Sequence, residues 1–523
     1  MLKLLSEITA DTPISARSLR CNAVDVALIL LLLLAILYNV YWFAAGIDNP
    51  LLDLFSFRQA QTAVSSYWLD TNGLSVIYET PVLGYPWTIP FEFPIYQWLG
   101  VLIARLGLPL DVAGRTVAFS FHLAVLIPLT ALLQGLRVSM RTIMIVCILF
   151  LVSPLYVFWG RTVMIEPSAL FFAVSWLALL SSFILFGGFV RFLGAVLCGS
   201  LAALVKLTTF PAFGLLGAAL FVVASAKEWK HESRFNLPRL FLVAAAGVLP
   251  VAIAAVWVAH TDEVRIQNFL GSRLTSRALI SWNFGPLEMR LTGAVWRDAM
   301  FMRMLPEVLG YCAVLSLVAF GAWLDRRKYG ALVFASIAGF LIALLIFTNL
   351  HLVHNYYQYA NAIFVLVALG LVIGALAENG RPKLAAFILI AVVGGQVWYF
   401  FNNYAAFVTT DLRVDPTYKI AKLVRKHTAR DEALLVFGLD WSSVVPYYSR
   451  RKSLAVPNFA TDAQIKRILA RPGDFLGGLS LGAIVLCNSN ELGKRAPEIE
   501  AFVAGREEIG SAGPCRAFSA AVR

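Results

Sequence analysis

AVDVALILLLLLAILYNVYWFAAG (residues 23–46) is followed, one residue later, by DNPLLDLFSFRQAQTAVSSYWLDTNG (residues 48–73). The first run is long enough to cross a bilayer at 1.5 Å per residue. No short apolar core with a small-residue cleavage site is present, so it reads as a retained first span rather than a cleaved signal. The second run opens on Asp48 and Asp53, passes through Arg58-Gln59, and continues as an amphipathic segment to Trp68. Trp and Tyr on such a segment suit a helix lying in the membrane interface.

Working outward, apolar runs recur at 114–136, 142–159, 168–189, 192–205, 209–226, 239–259, 307–324, 331–349, 357–377 and 384–402. The fold class expected is a mainly α-helical polytopic membrane protein with about eleven transmembrane helices. The segment Phe91 to Leu108 carries Pro94 and Glu92 after Pro90, and reads as interfacial rather than spanning. Composition agrees: of 523 residues 59% are hydrophobic and 14% charged, against roughly 25% charged in soluble domains.

The net charge of +12 does not indicate nucleic acid, because the basic residues sit in short turns between apolar runs. Lys3, Arg17 and Arg20 precede the first span; Arg137, Arg141, Arg191, Lys227, Lys230, Arg234, Arg239, Arg326, Arg327, Lys328, Arg381 and Lys383 fall in alternate turns. The positive-inside rule then puts the N-terminus in the cytoplasm. It puts the loops 47–113 and 260–306, and everything after Asn403, on the opposite side. From Asp411 the sequence alternates amphipathic pieces with short apolar strands such as ALLVFG and GAIVLC. Residues 1–403 thus read as the transmembrane part and 404–523 as a small extracytoplasmic α/β domain. Of the six cysteines, Cys487 and Cys515 lie in that domain and are either a disulfide, if it is extracytoplasmic, or two free thiols. Cys147, Cys198 and Cys312 fall in or beside apolar runs, and Cys21 lies before the first.

Four further places carry polar groups at the exterior edge. In FWGRTVMIEPS, Arg161 and Glu166 flank a short turn; they are either functional or a snorkelling arginine and an acid-Pro helix start. Lys206 in ALVKLTTFP runs against the positive-inside trend and is either a site residue or a snorkelling lysine. The loop 260–306 carries Arg265, Arg273, Arg277, Arg290, Arg297 and Arg303. Guanidinium forks suit phosphate, while a headgroup-facing helix accounts for the same residues. In NLHLVHNYYQYAN (349–361), His354, Tyr356 and Tyr357 form either an aromatic belt or a hydrogen-bonding wall for a polar headgroup. No Walker A, GxSxG, HExxH or zinc spacing occurs.

The loop FRQAQTAVSSYWLDTNG, the turn GRTVMIEPSALFF, ALVKLTTFPA, HNYYQYANAI and the late VFGLDWSSVVPYYSRR together resemble the C-type glycosyltransferases. The likeness is greatest to bacterial members of glycosyltransferase family 39, which includes protein O-mannosyltransferases and the lipid A aminoarabinose and galacturonic acid transferases. The resemblance implies a bacterial inner-membrane enzyme, a polyprenyl-phosphate sugar donor, a lipid, glycan or protein acceptor, and inverting transfer on the periplasmic face. It implies a carboxylate base from the first loop and basic and tyrosine side chains around the departing phosphate. In that family an acidic pair opens the interfacial helix; counting back from Gly73, the slot falls here on Arg58-Gln59. The base expected is therefore Asp53, with Asp48 or Glu166 as alternatives. Arg58, Gln59, Arg161, Lys206, Arg273, Arg277, His354, Tyr356 and Tyr357 are the expected substrate-binding residues. No protein ligand set for a metal is evident, and assistance by Mg or Mn stays open. A transporter or flippase for a lipid-linked saccharide is the alternative. It sits poorly with mid-span regions nearly free of charge outside Lys206, since coupling pathways need intramembrane ionisable groups.

Overall fold

The computed structural model describes residues 22–232, 237–324 and 328–522, with the side chains of 227–232 and 522 left aside. Lys3, Arg17, Arg20, Cys21, Arg234, Arg326 and Arg327, and the side chains of Lys227 and Lys230, lie outside the described residues.

Each apolar run is helical. Seven helices are long and apolar enough to cross a membrane: Ala23–Ala45, Leu110–Gly135, Glu166–Phe186, Leu237–Arg265, Ala294–Trp323, Asn355–Glu378 and Pro382–Asn403. Met140–Val152, Phe189–Val205, Phe210–Ala226 and Gly330–Ile346 are apolar but shorter. The chain is a multi-pass membrane protein, and the expected eleven runs divide into these two length classes. Ile95–Ala104 is a helix of 10 residues, too short to span. The basic segment is narrower than expected, because Leu237–Arg265 continues to Arg265 and the next helix long enough to span begins at Ala294, with only short helical turns between them.

Polar and small side chains fix the helices where apolar ones cannot discriminate. At the start of the first span, Asn22 accepts from the backbone of Val24 and Asp25, and Asp25 takes Arg141 at 2.7 Å. Midway along, the Asn39 amide donates to the Leu151 carbonyl at 2.6 Å, and its oxygen lies 3.0 Å from His122 Nε2. His122 Nδ1 meets the Tyr359 hydroxyl at 2.8 Å. Gly370 and Gly374 let the Asn355–Glu378 helix close on Val146 and Thr142, positions where any Cβ would collide.

Beyond the helices lies a five-stranded sheet in the order β2-β1-β3-β5-β4, made of β1 Glu432–Phe437, β2 Ser453–Ala455, β3 Ser480–Cys487, β4 Arg506–Ala512 and β5 Cys515–Val522. β1 pairs in parallel with β2 and β3, and β5 antiparallel with β3 and β4. Cys487 and Cys515 face each other across β3 and β5 and form a disulfide. The first loop joins this sheet at the free edge of β2. Ser453 N donates to Pro81 O at 3.0 Å, Ala455 N to Val82 O at 2.8 Å and Gly84 N to Ser453 O at 3.1 Å. Val82, Leu83 and Trp87 are buried in one core with Leu434, Val436 and Leu454. This covering of an exposed strand edge makes one body of two parts that lie far apart in the sequence.

Candidate functional site

The second stretch of the opening quotation folds as expected into a helix, Ser56–Asn72, which stops at Gly73 with φ +97°. Its entry is unusual. Phe55, the residue before the first turn, has φ +54°, a left-handed conformation costly for a bulky side chain. That backbone turns the Phe55 ring inward, 5.0 Å from Tyr356, 5.4 Å from His354 and 5.8 Å from Trp159 between centroids. The polar residues on either side of Phe55 go to different places.

Asp53 goes to a buried cage whose guanidinium groups keep Arg115 Nε and Nη1 and Arg161 Nε without a hydrogen-bond partner among the described residues. Its side chain is 1% exposed; one oxygen accepts from Arg161 Nη2 at 3.0 Å, with Arg115 Nη1 at 3.7 Å. The other oxygen accepts from the Gln59 amide. Gln59 in turn accepts from Val163 N at 3.2 Å, so it pins Asp53 to the GRTVMIEPS turn. Burial lowers the Arg161 guanidinium to about 10, with Asp53 opposing that shift; the guanidinium stays charged at neutral pH. Arg115 was not anticipated. It lies in the Leu110–Gly135 helix, and an arginine beside an apolar run is a signal the sequence did carry. Glu307, buried in the Ala294–Trp323 stretch, is a second such charge, so the apolar helices are less free of charge than expected.

The Phe55 ring touches a second cluster through His354 and Tyr356. Glu166 begins its helix next to Pro167, where an acid meets the positive end of the helix dipole. One Glu166 oxygen pairs with Lys206 Nζ; the other, Oε2, is buried with no hydrogen-bond partner among the described residues. Lys206 sits just past the Phe189–Val205 helix, with Nζ 3.9 Å from the Tyr357 ring centroid and 5.2 Å from that of Tyr356. Such cation–π contacts favour a desolvated ammonium, while burial itself lowers the Lys206 pKa below its ordinary value. His354 stacks on Tyr357 at 5.7 Å. Burial, then the charge of Lys206, lowers its imidazole to about 4, so it is neutral at pH 7, with Nδ1 unpartnered among the described residues. Unpaired buried polar atoms are costly, and their gathering around one ammonium marks a place prepared for a polar ligand.

Arg58 forms the outer rim. It donates to Gln61 and pairs with Glu92, the two ion-pair side chains being 17% and 16% exposed. Glu92 was also not anticipated as a site residue; its pairing joins positions 34 apart, which no local pattern reveals.

Not every expected residue converges. Asp48 is exposed, and it is its backbone carbonyl that accepts from Arg413 at 2.9 Å. Arg273 and Arg277 are exposed and stand outside both clusters. The other arginines of the basic loop are largely occupied with carbonyls. Arg265 holds Pro90, Phe91 and Leu274; Arg290 holds Phe284, Pro286, Leu345 and Ile346; Arg303 holds His351 and Leu352. Arg297 pairs with its neighbour Asp298. Among the described residues no three His, Cys, Asp or Glu side chains gather into a metal-binding group.

No family model matches the chain, and no curated protein sequence matches it. Solved structures do match. ArnT from Cupriavidus metallidurans bound to undecaprenyl phosphate is similar over 95% of this chain and 98% of its own, with 13% identity and a TM-score of 0.63. The same protein in its apo state is similar over 96% and 99%, with 14% identity and a TM-score of 0.54. The Archaeoglobus fulgidus oligosaccharyltransferase in its apo form is similar over 88% and 69%, with 13% identity and a TM-score of 0.52. At such identities the likeness is one of fold.

Proposed function

From a chain that has the fold of the polytopic C-type glycosyltransferases, we propose a glycosyltransferase of the bacterial inner membrane. It moves a sugar from a polyprenyl-phosphate donor to a lipid, glycan or protein acceptor on the periplasmic face, with inversion. The observation that carries this reading is the Lys206 cluster. A buried ammonium sits between two tyrosine rings and a carboxylate at the end of a membrane helix, with Arg58 alongside.

In this mechanism Lys206 and Arg58 hold the donor phosphate, and the neutral His354 and the Tyr356 and Tyr357 hydroxyls supply further hydrogen-bonding capacity. A phosphate arriving at Lys206 takes the ammonium from Glu166 and frees that carboxylate. Glu166 then accepts the proton of the acceptor hydroxyl or amine as the acceptor attacks the anomeric carbon. The bond from that carbon to the phosphate oxygen breaks, and the phosphate departs with the electron pair against the two cations. Glu166 is preferred to Asp53 because Asp53 already has partners on both oxygens, while Glu166 has an oxygen free. Asp53 then acts as the anchor that fixes the first loop to the GRTVMIEPS turn. A Mg or Mn ion bound with the donor phosphate remains compatible with this scheme.

Mass spectrometry of envelope lipids and glycans from cells lacking the chain tests the reaction. A single missing sugar with its lipid-linked donor retained is the expected result. An unmodified envelope overturns it, and a saccharide stranded intact on its lipid carrier indicates transport instead.

A further inference from the structure

The stretch VFGLDWSSVVPYYSRR contains a residue that the mechanism above does not use. After β1 the chain makes a sharp exit. Gly438 has φ +77°, and a Cβ there would run into the carbonyl of Cys487. Asp440 follows at φ +50°, held by the amide of Asn458 at 2.7 Å. This turn delivers Trp441 from the carboxyl end of a parallel strand, the end at which α/β sheets present ligand groups, onto the first loop. The Trp441 ring lies 4.8 Å from Phe57, edge-on, and 5.8 Å from Phe91 at an interplanar angle of 25°. All three rings are half-buried, and the Trp441 indole N–H has no hydrogen-bond partner among the described residues. Phe57 and Phe91 are the sequence neighbours of Arg58 and Glu92, which pair with each other. An aromatic face with a free N–H beside an arginine–carboxylate pair suits a sugar ring. Apolar C–H faces pack on the indole, and hydroxyls meet the N–H, guanidinium and carboxylate.

We propose that Trp441, with Phe57 and Phe91, forms a carbohydrate-stacking subsite that binds the sugar ring of a substrate beside Arg58. The C-terminal sheet thereby contributes directly to substrate recognition. The inference rests on the glycosyltransferase reading and deepens it.

The test uses the full chain in lipid nanodiscs. Kd is measured for undecaprenyl phosphate alone and for undecaprenyl phosphate carrying each of a panel of single pentoses and hexoses. The ratio of the two Kd values isolates what the sugar adds. Trp441→Ala is expected to lower that ratio about tenfold with the affinity for bare undecaprenyl phosphate unchanged. Trp441→Leu keeps apolar volume without a ring and guards against misfolding, and is expected to behave as Trp441→Ala does; Trp441→Phe is expected to recover most of the ratio. A lowered ratio assigns the subsite to the donor's sugar. An unchanged ratio with a raised KM for a glycan-bearing acceptor in envelope extract assigns it to the acceptor's sugar. Neither change in a folded Trp441→Leu protein overturns the proposal. Failure of the unaltered chain to bind bare undecaprenyl phosphate would instead remove the donor reading, and the subsite with it.

Discussion

Two carboxylates, Asp53 and Glu166, are both buried and both paired with a cation, yet they are built differently. Asp53 is saturated: Arg161 and Arg115 face one oxygen, Gln59 holds the other, and Gln59 is itself tied to Val163. Glu166 has a single cation, Lys206, and one oxygen left over. The cations differ to match. Guanidinium forks are planar and remain charged when buried, which suits a permanent joint, whereas an ammonium is a compact donor able to exchange partners. The contrast lies in the carboxylates, since Arg115 and Arg161 keep unpartnered nitrogens of their own: Asp53 has no oxygen left for a substrate proton, and Glu166 has one.

The largest effect that sharpens this contrast is on stability. Asp53→Ala leaves two buried guanidinium groups without their counter-charge, a loss of about 3–5 kcal/mol, and should appear as a marked fall in melting temperature in detergent or nanodiscs. Should Asp53→Ala melt as the unaltered protein does, the cage is not an anchor. Glu166→Gln should show the opposite pattern. Folding is kept, while transfer, followed as product by mass spectrometry, falls about 10²- to 10⁴-fold as expected for loss of a general base. Full turnover in Glu166→Gln would return that role to Asp53 or Asp48.

The pH profile distinguishes the two cations. Burial holds the Lys206 pKa below its ordinary 10.5, so its uncharged form is favoured more than that of an exposed lysine. Phosphate binding depends on the charged form, so affinity should decline as pH rises through that lowered value. Lys206→Arg should abolish this alkaline decline. The smallest effect is expected from Arg273→Ala and Arg277→Ala, which remove exposed side chains outside both clusters; changes within about 0.5 kcal/mol in stability and unaltered turnover are predicted. A large loss of turnover in either variant would bring the basic loop into the site.

What the sequence made legible follows from the range of the forces involved. Membrane helices are written in contiguous hydrophobicity, so every apolar run appeared as a helix, and the Ser56–Asn72 helix after the first span was visible in its amphipathic pattern. Arg161, Lys206, Glu166 and the tyrosines stood out individually because polar groups at a membrane boundary are expensive. Their partnerships did not. Glu166 finds Lys206 40 positions away, and Asp53 finds Arg161 108 positions away, through packing that no local pattern encodes. The all-arginine bias of the basic loop pointed to phosphate, but Arg265, Arg290 and Arg303 use their forks to hold backbone carbonyls of neighbouring segments. The C-terminal part looked self-contained because its strand pattern is complete in itself. The register of residues 81–84 on β2 is set by backbone hydrogen bonds, and the side chains that pack there, Val82 and Leu83, carry no local mark of their distant partners.

The central claim is that the Lys206 cluster is the seat of the donor phosphate. Its most direct test is the equilibrium affinity of the full chain for undecaprenyl phosphate, compared between the unaltered protein and Lys206→Ala at neutral pH. Loss of one charge-assisted contact of about 1.5–3 kcal/mol predicts binding weakened about ten- to a hundredfold, alongside a lower melting temperature because the buried Glu166 loses its counter-charge. Equal affinities in the two proteins would contradict the account.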